Sequence, residues 1–86
     1  MSTIRLPTGE TFDAEYACLS GATHNFVAKF SPGADASAIA DSMAGAGAFE
    51  VVSERETIAY SGYTKIKSVR RISDGSIITL KRGESA

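Results

Sequence analysis

Two β-branched runs flanking Asp74-Gly75, in KIKSVRRISDGSIITLKR (residues 65–82), constrain the fold more than any other stretch of the chain. Asp-Gly between alternating strands is a strong signal for a two-residue type I′ hairpin. Such a loop pairs Ser73 with Ser76, Ile72 with Ile77, Arg71 with Ile78, Arg70 with Thr79 and Val69 with Leu80. Alternation then places Val69, Ile78 and Leu80 on one face and Arg70, Ile72, Ile77 and Thr79 on the other. Ile66 lies three residues before Val69, so the two share a face only if a bulge near Lys67 and Ser68 resets the phase. The Ile66, Val69, Ile72 spacing also fits a helix, but the segment is β-branched, short and closed by Asp-Gly, which favours the strand.

The same hairpin concentrates positive charge. Residues 60–82 hold Lys65, Lys67, Arg70, Arg71, Lys81 and Arg82 against the single acid Asp74, a net of +5. Residues 1–59 carry Arg5, Lys29 and Arg55 against Glu10, Asp13, Glu15, Asp35, Asp41, Glu50, Glu54 and Glu56, a net of −5. The overall charge of −1 conceals this division.

Upstream, STIRL, PTGE and TFDAEYACL read as strand, turn and strand, with Phe12, Ala14, Tyr16 and Cys18 on the core face and Asp13 and Glu15 on the wet one. HNFVAKF alternates through Phe26, Ala28 and Phe30 and should end at SPG, completing a three-strand meander. DASAIADSMAG is the one helix candidate: Asp35 caps it, Gly45 takes the left-handed position after it, and Ile39 and Met43 flanked by Ala36 and Ala40 make a narrow apolar stripe. A helix this short needs the sheet beneath it to persist in water. AGAGA, residues 44–48, reads as a flexible connection rather than a ligand loop. AFEVVSERETIAYSGYTKI supplies further strands, with ERE an exposed connection and Gly62 a bulge or close backbone approach. The expected architecture is α+β: a twisted antiparallel sheet, or a small partly open β-barrel, with one short helix, all in a single domain spanning residues 1–86.

Eighty-six residues with 43% apolar content suit one small core. One cysteine, Cys18, allows no internal disulfide and reads as an inert core residue. No basic and apolar leader and no membrane-length run is visible, so an intracellular, cytoplasmic setting without membrane contact is expected. His24 stands without a second His or Cys at ligand spacing, and the glycine runs lack phosphate-loop or dinucleotide context. Asp13 and Glu15 share a strand face but read as solvated carboxylates, so no enzyme, metal or cofactor is expected. Tyr60 and Tyr63 beside the basic run could stack bases, but read more naturally as partly buried strand residues.

The opening IRLPTGETF, the strand ending ETIAYSGYT, and GYTKIKSV followed by DGSIITLKR resemble the small uncharacterised proteins that prophages encode among their head and tail genes. AGAGA departs from the more polar connection of those proteins. The resemblance implies a bacterial host and a structural or assembly role in association with a virion, in no particular part of the particle; it carries over no functional residue. With the charge division, it leads to one expectation: a non-enzymatic structural, assembly or protein-interaction protein whose surface of Lys65, Lys67, Arg70, Arg71, Lys81 and Arg82 meets acidic regions of its own copies head to tail, or of other particle components. The alternative is a small nucleic-acid-binding module whose hairpin tracks phosphates with the same six residues.

Overall fold

The computed structural model describes residues 1–83. Along the chain run β1 (Ser2–Arg5), β2 (Thr11–Ala14), β3 (Tyr16–Leu19), β4 (Phe26–Phe30), α1 (Ala36–Ala46), β5 (Ala48–Val52), β6 (Thr57–Ser61), β7 (Lys65–Ile72) and β8 (Gly75–Lys81). They form two four-stranded antiparallel sheets, ordered β2-β1-β5-β6 and β3-β4-β8-β7, with one helix. The domain is therefore α+β, and no closed barrel forms among the described residues.

The expected three-strand meander is split between the sheets, for a local reason. The run Thr11–Leu19 bends at Glu15, whose N–H donates to the Lys29 carbonyl at 2.8 Å. Strand β2 pairs with β1, while β3 crosses to β4, and the bend shifts the alternation by one residue. Ala14 stays in the core; beyond the bend Ala17 turns inward, opposite buried Ala28, and Tyr16 and Cys18 turn out to solvent. Both had been expected on the core face, and the free thiol of Cys18 is exposed.

The helix corrects a second boundary. Asp35 caps it as expected, its carboxylate accepting from Ala38 N–H at 3.1 Å. The left-handed residue after it is Gly47 (φ 71°), whose N–H donates to the Met43 carbonyl at 3.0 Å, not Gly45. Ala44, Gly45 and Ala46 thus complete the last turn, and Ala48 already starts β5, so AGAGA is ordered structure. The stripe of Ala36, Ile39, Ala40 and Met43 is buried against β5, β7 and β8.

Phe26, Phe30, Ile4, Met43, Ile78 and Leu80 form the centre of the core. Phe26 meets Phe49 edge-on at 4.8 Å and Tyr60 at 5.1 Å between ring centroids, with Tyr63 beside them at 6.2 Å, so aromatic side chains tie the two sheets together. Gly62 (φ 83°) makes the close backbone approach its position implied: its N–H donates to the Gly47 carbonyl and its carbonyl accepts from Gly83 N–H, at 2.8 and 3.0 Å.

Candidate interaction surface

The last hairpin forms, with a turn displaced by one residue. Ile72 pairs with Gly75, Arg71 with Ser76, Arg70 with Ile77, Val69 with Ile78 and Ser68 with Thr79, so the two loop residues are Ser73 and Asp74 rather than Asp74 and Gly75. Two contacts across β4 favour this register. Gly75, at φ 148°, packs so closely on the Phe30 carbonyl that a Cβ would collide with it. Asp74, freed for the loop, reaches the Lys29 ammonium at 2.9 Å. The bulge expected near Lys67 and Ser68 is present, between Ile66 and Ser68. Val69, Ile78 and Leu80 accordingly face the core.

Register and alternation settle where the six cations stand. Lys65 and Lys81 are cross-strand partners on the open face of the β3-β4-β8-β7 sheet, and Arg70 shares that face two rows away. Arg71, opposite buried Ser76, lies on the helix side, next to a cleft of about 160 Å³ also lined by Pro32, Ala34 and Ile72. Lys67 is the bulged residue, and Arg82 lies over the Tyr63 ring, 5.4 Å from its centroid. All six are exposed. The hairpin therefore presents a strip of cations along β7 with Lys81 beside one end, and it carries Arg82 onto the aromatic cluster instead.

The internal ion pairs use other residues. Arg5 donates through Nε and Nη2 to Glu50 at 3.0 and 2.8 Å, and Lys29 holds both Glu15 and Asp74 at 2.9 Å. Hydrogen bonds from Lys29 to Asp74 first, and then to Glu15, raise the Lys29 pKa well above the ordinary lysine range, and the same contact lowers that of Asp74. Among the described residues, none of the six hairpin cations has a carboxylate within ion-pair distance. Exposed acids without a basic partner among the described residues lie elsewhere: Glu10 and Asp13 along the β1-β2 hairpin, Asp35 capping α1 and Asp41 on it, and Glu54 and Glu56 between β5 and β6. Most of these acids border the β2-β1-β5-β6 sheet, where Arg55 lies between Glu54 and Glu56, while Asp41 sits on the helix that packs against β7 and β8.

Tyr60 and Tyr63 are not stacking platforms. Both belong to the aromatic cluster; burial pushes the Tyr60 hydroxyl pKa up, and the Tyr63 hydroxyl donates to the His24 carbonyl at 3.1 Å. Tyr16, expected on the core face, is instead the tyrosine on the open face, in one row with Lys29, Ile77 and Arg70. The shift of phase at Glu15 that exposes it leaves no mark in the alternation pattern.

Among the described residues, no three His, Cys, Asp or Glu side chains are grouped to hold a metal ion, and no helix is long and apolar enough to cross a membrane. A groove of about 370 Å³, lined chiefly by Leu6, Pro7, Ala48, Phe49 and Tyr60, lies away from the hairpin beside the Arg5–Glu50 pair. The chain matches no family of known proteins, no curated protein and no solved structure.

Proposed function

We propose that the protein is a non-enzymatic interaction and assembly component whose β7-β8 hairpin docks against acidic protein surfaces, head to tail on its own copies or on other components of a phage-like particle. The observation that carries this reading is the pairing of Lys65 with Lys81, two like charges directly opposite each other with no carboxylate beside them among the described residues. Like charges at facing strand positions destabilise a sheet. A chain with ten acids retains the repulsion, and such local conflicts cluster where a surface serves something other than its own stability. Acids bordering the other sheet make a head-to-tail contact complementary, and such a contact closes a ring or extends a tube. The resemblance to prophage head and tail proteins supports the same class of role. Light scattering across a concentration series tests the self-docking form: mass should rise with concentration at low salt and fall as salt is added. A monomer at every concentration and ionic strength would overturn it.

A second reading, a module for single-stranded nucleic acid, is favoured by one observation. Exposed Tyr16, on the opposite edge strand, shares the open sheet face with Lys65, Arg70 and Lys81, so one stacking ring and three phosphate-directed cations border the same surface. Oligonucleotide affinity should then fall steeply with salt, and replacing one of these cations should lower the slope by about one. Failure to bind any oligonucleotide at low salt would discard this reading.

A further inference from the structure

Strand β7, eight residues, is the longest strand among the described residues, and it lies at a sheet edge with β8 as its one strand partner. On the side away from β8, its backbone groups hydrogen-bond to no other described backbone group. The other edge strands, β2, β3 and β6, have four or five residues, and shortness itself makes an edge a poor template. Length makes β7 the exception.

Charge and a bulge guard this long edge. Lys65, Lys67, Arg70 and Arg71 line it, and the ladder is interrupted between Ile66 and Ser68. Lysine-rich, bulged edges resist pairing with their own kind, because two such strands side by side set cation against cation. The same guard admits a strand of opposite charge. The two faces add a pattern: Lys65, Ser68 and Arg70 point to the open side, while Ile66, 36% exposed, and half-buried Val69 point to the core side. An incoming strand alternating acidic and apolar residues would set its carboxylates against the cations and extend the apolar layer over Ile66 and Val69.

Building on the reading above, we propose that β7 takes up an extended acidic segment of another protein by strand addition, with main-chain hydrogen bonds fixing its direction and alternate Asp or Glu side chains facing the basic residues. A second copy fits this edge less well. Its acidic edge strand β2 is four residues long, its Asp13 accepts from the Thr3 hydroxyl, and the neighbouring Glu15 is held by Lys29.

Amide hydrogen exchange followed by NMR tests the proposal, using three probes at low salt: a capped eight-residue peptide alternating Glu and Val, its Lys-Val counterpart, and an oligothymidylate. The Glu-Val peptide should slow the outward-facing amides of β7 by about tenfold or more, because hydrogen-bonded strand amides exchange only on opening. The Lys-Val peptide should leave them unchanged, and Arg70→Glu should weaken Glu-Val binding several-fold. Shifts of the lysine and arginine side-chain signals without slowed β7 amides would overturn strand addition while leaving the basic docking surface intact. No response to any acidic probe would remove both. Tighter binding of oligothymidylate than of the Glu-Val peptide would assign the edge to nucleic acid, and slowing that tracks protein concentration alone would assign it to a second copy; either overturns the proposal.

Discussion

Lys65→Glu converts the facing Lys65–Lys81 pair into an opposite-charge pair, and its effect on stability follows from the geometry. Cross-strand Cβ atoms lie about 5 Å apart, which places the two exposed head groups roughly 6 Å apart. At that separation two unit charges in water interact by about 0.7 kcal/mol, so reversing one sign changes the balance by about 1.4 kcal/mol before screening. Screening over the Debye length leaves about 1.1 kcal/mol at 10 mM salt, about 0.7 at 0.15 M and about 0.2 at 1 M. For a domain of this size one kcal/mol corresponds to about 5 °C in Tm. Thermal unfolding followed by circular dichroism should therefore show the variant melting about 6 °C higher than the parent at 10 mM salt and about 1 °C higher at 1 M. The same variant should associate less in light scattering, because it removes a docking cation. A variant that is no more stable at low salt, or whose gain does not shrink with added salt, would refute the view that the hairpin stores uncompensated repulsion.

Other perturbations probe the frame that holds the surface. Gly75→Ala should destabilise by at least about 2 kcal/mol in urea unfolding, since the new Cβ meets the Phe30 carbonyl and the backbone sits at φ 148°. Met43→Ala should cost about 2–5 kcal/mol, because the side chain is fully buried between helix and sheets. Asp74→Asn tests the Lys29 contact by pH. Because its folded pKa is lowered, Asp74 stabilises above its unfolded value of about 4, and this is lost as pH falls; because its folded pKa is raised, Lys29 stabilises below its unfolded value of about 10.4, and this is lost as pH rises. The stability gap between parent and Asp74→Asn, read from urea titrations, should stay level between those limits and narrow beyond both; a gap that widens at pH 3 would contradict the assignment.

Much of this hairpin could be read from local pattern. The bulge followed from a three-residue spacing between Ile66 and Val69, and the core face of Val69, Ile78 and Leu80 survived the slip of the turn. The slip itself was invisible locally, because it is set across the sheet by the fit of Gly75 on Phe30 and the reach of Asp74 to Lys29. The helix stripe was legible because Ile39 and Met43 lie one turn apart; its end was not, since Gly45 and Gly47 are equally plausible caps until Gly62 is known to bond the Gly47 carbonyl. Tyr16 and Cys18 went to the wrong face because alternation carries no sign of a bend, and the Glu15 bend depends on a bond to Lys29, fourteen residues on. The charge division was plain in the sequence. What the fold added is that Glu50 pairs with Arg5, and Glu15 and the hairpin's own Asp74 pair with Lys29, which leaves the hairpin cations alone.

The bulge at Lys67 offers a way to separate the two roles of the β7 edge. Because Ile66 already stands opposite Leu80 and Ser68 opposite Thr79, deleting Lys67 leaves every other β7-β8 pair in place and only removes the interruption. Ile66 and Val69 keep their inward face and Lys65 stays opposite Lys81, so the variant should fold with its core contacts unchanged. Its edge becomes regular and loses one cation, which weakens both devices that keep like edges apart. At low salt the remaining Lys65, Arg70 and Arg71 still repel a second β7; at 1 M salt the Debye length of about 3 Å removes that protection. Sedimentation of the deletion variant should therefore show association that grows with salt, opposite in sign to the salt response of charge-driven docking in the parent. Identical sedimentation of parent and variant at 1 M salt would mean that the bulge does not guard the edge, and strand addition at β7 would lose the reason for its selectivity.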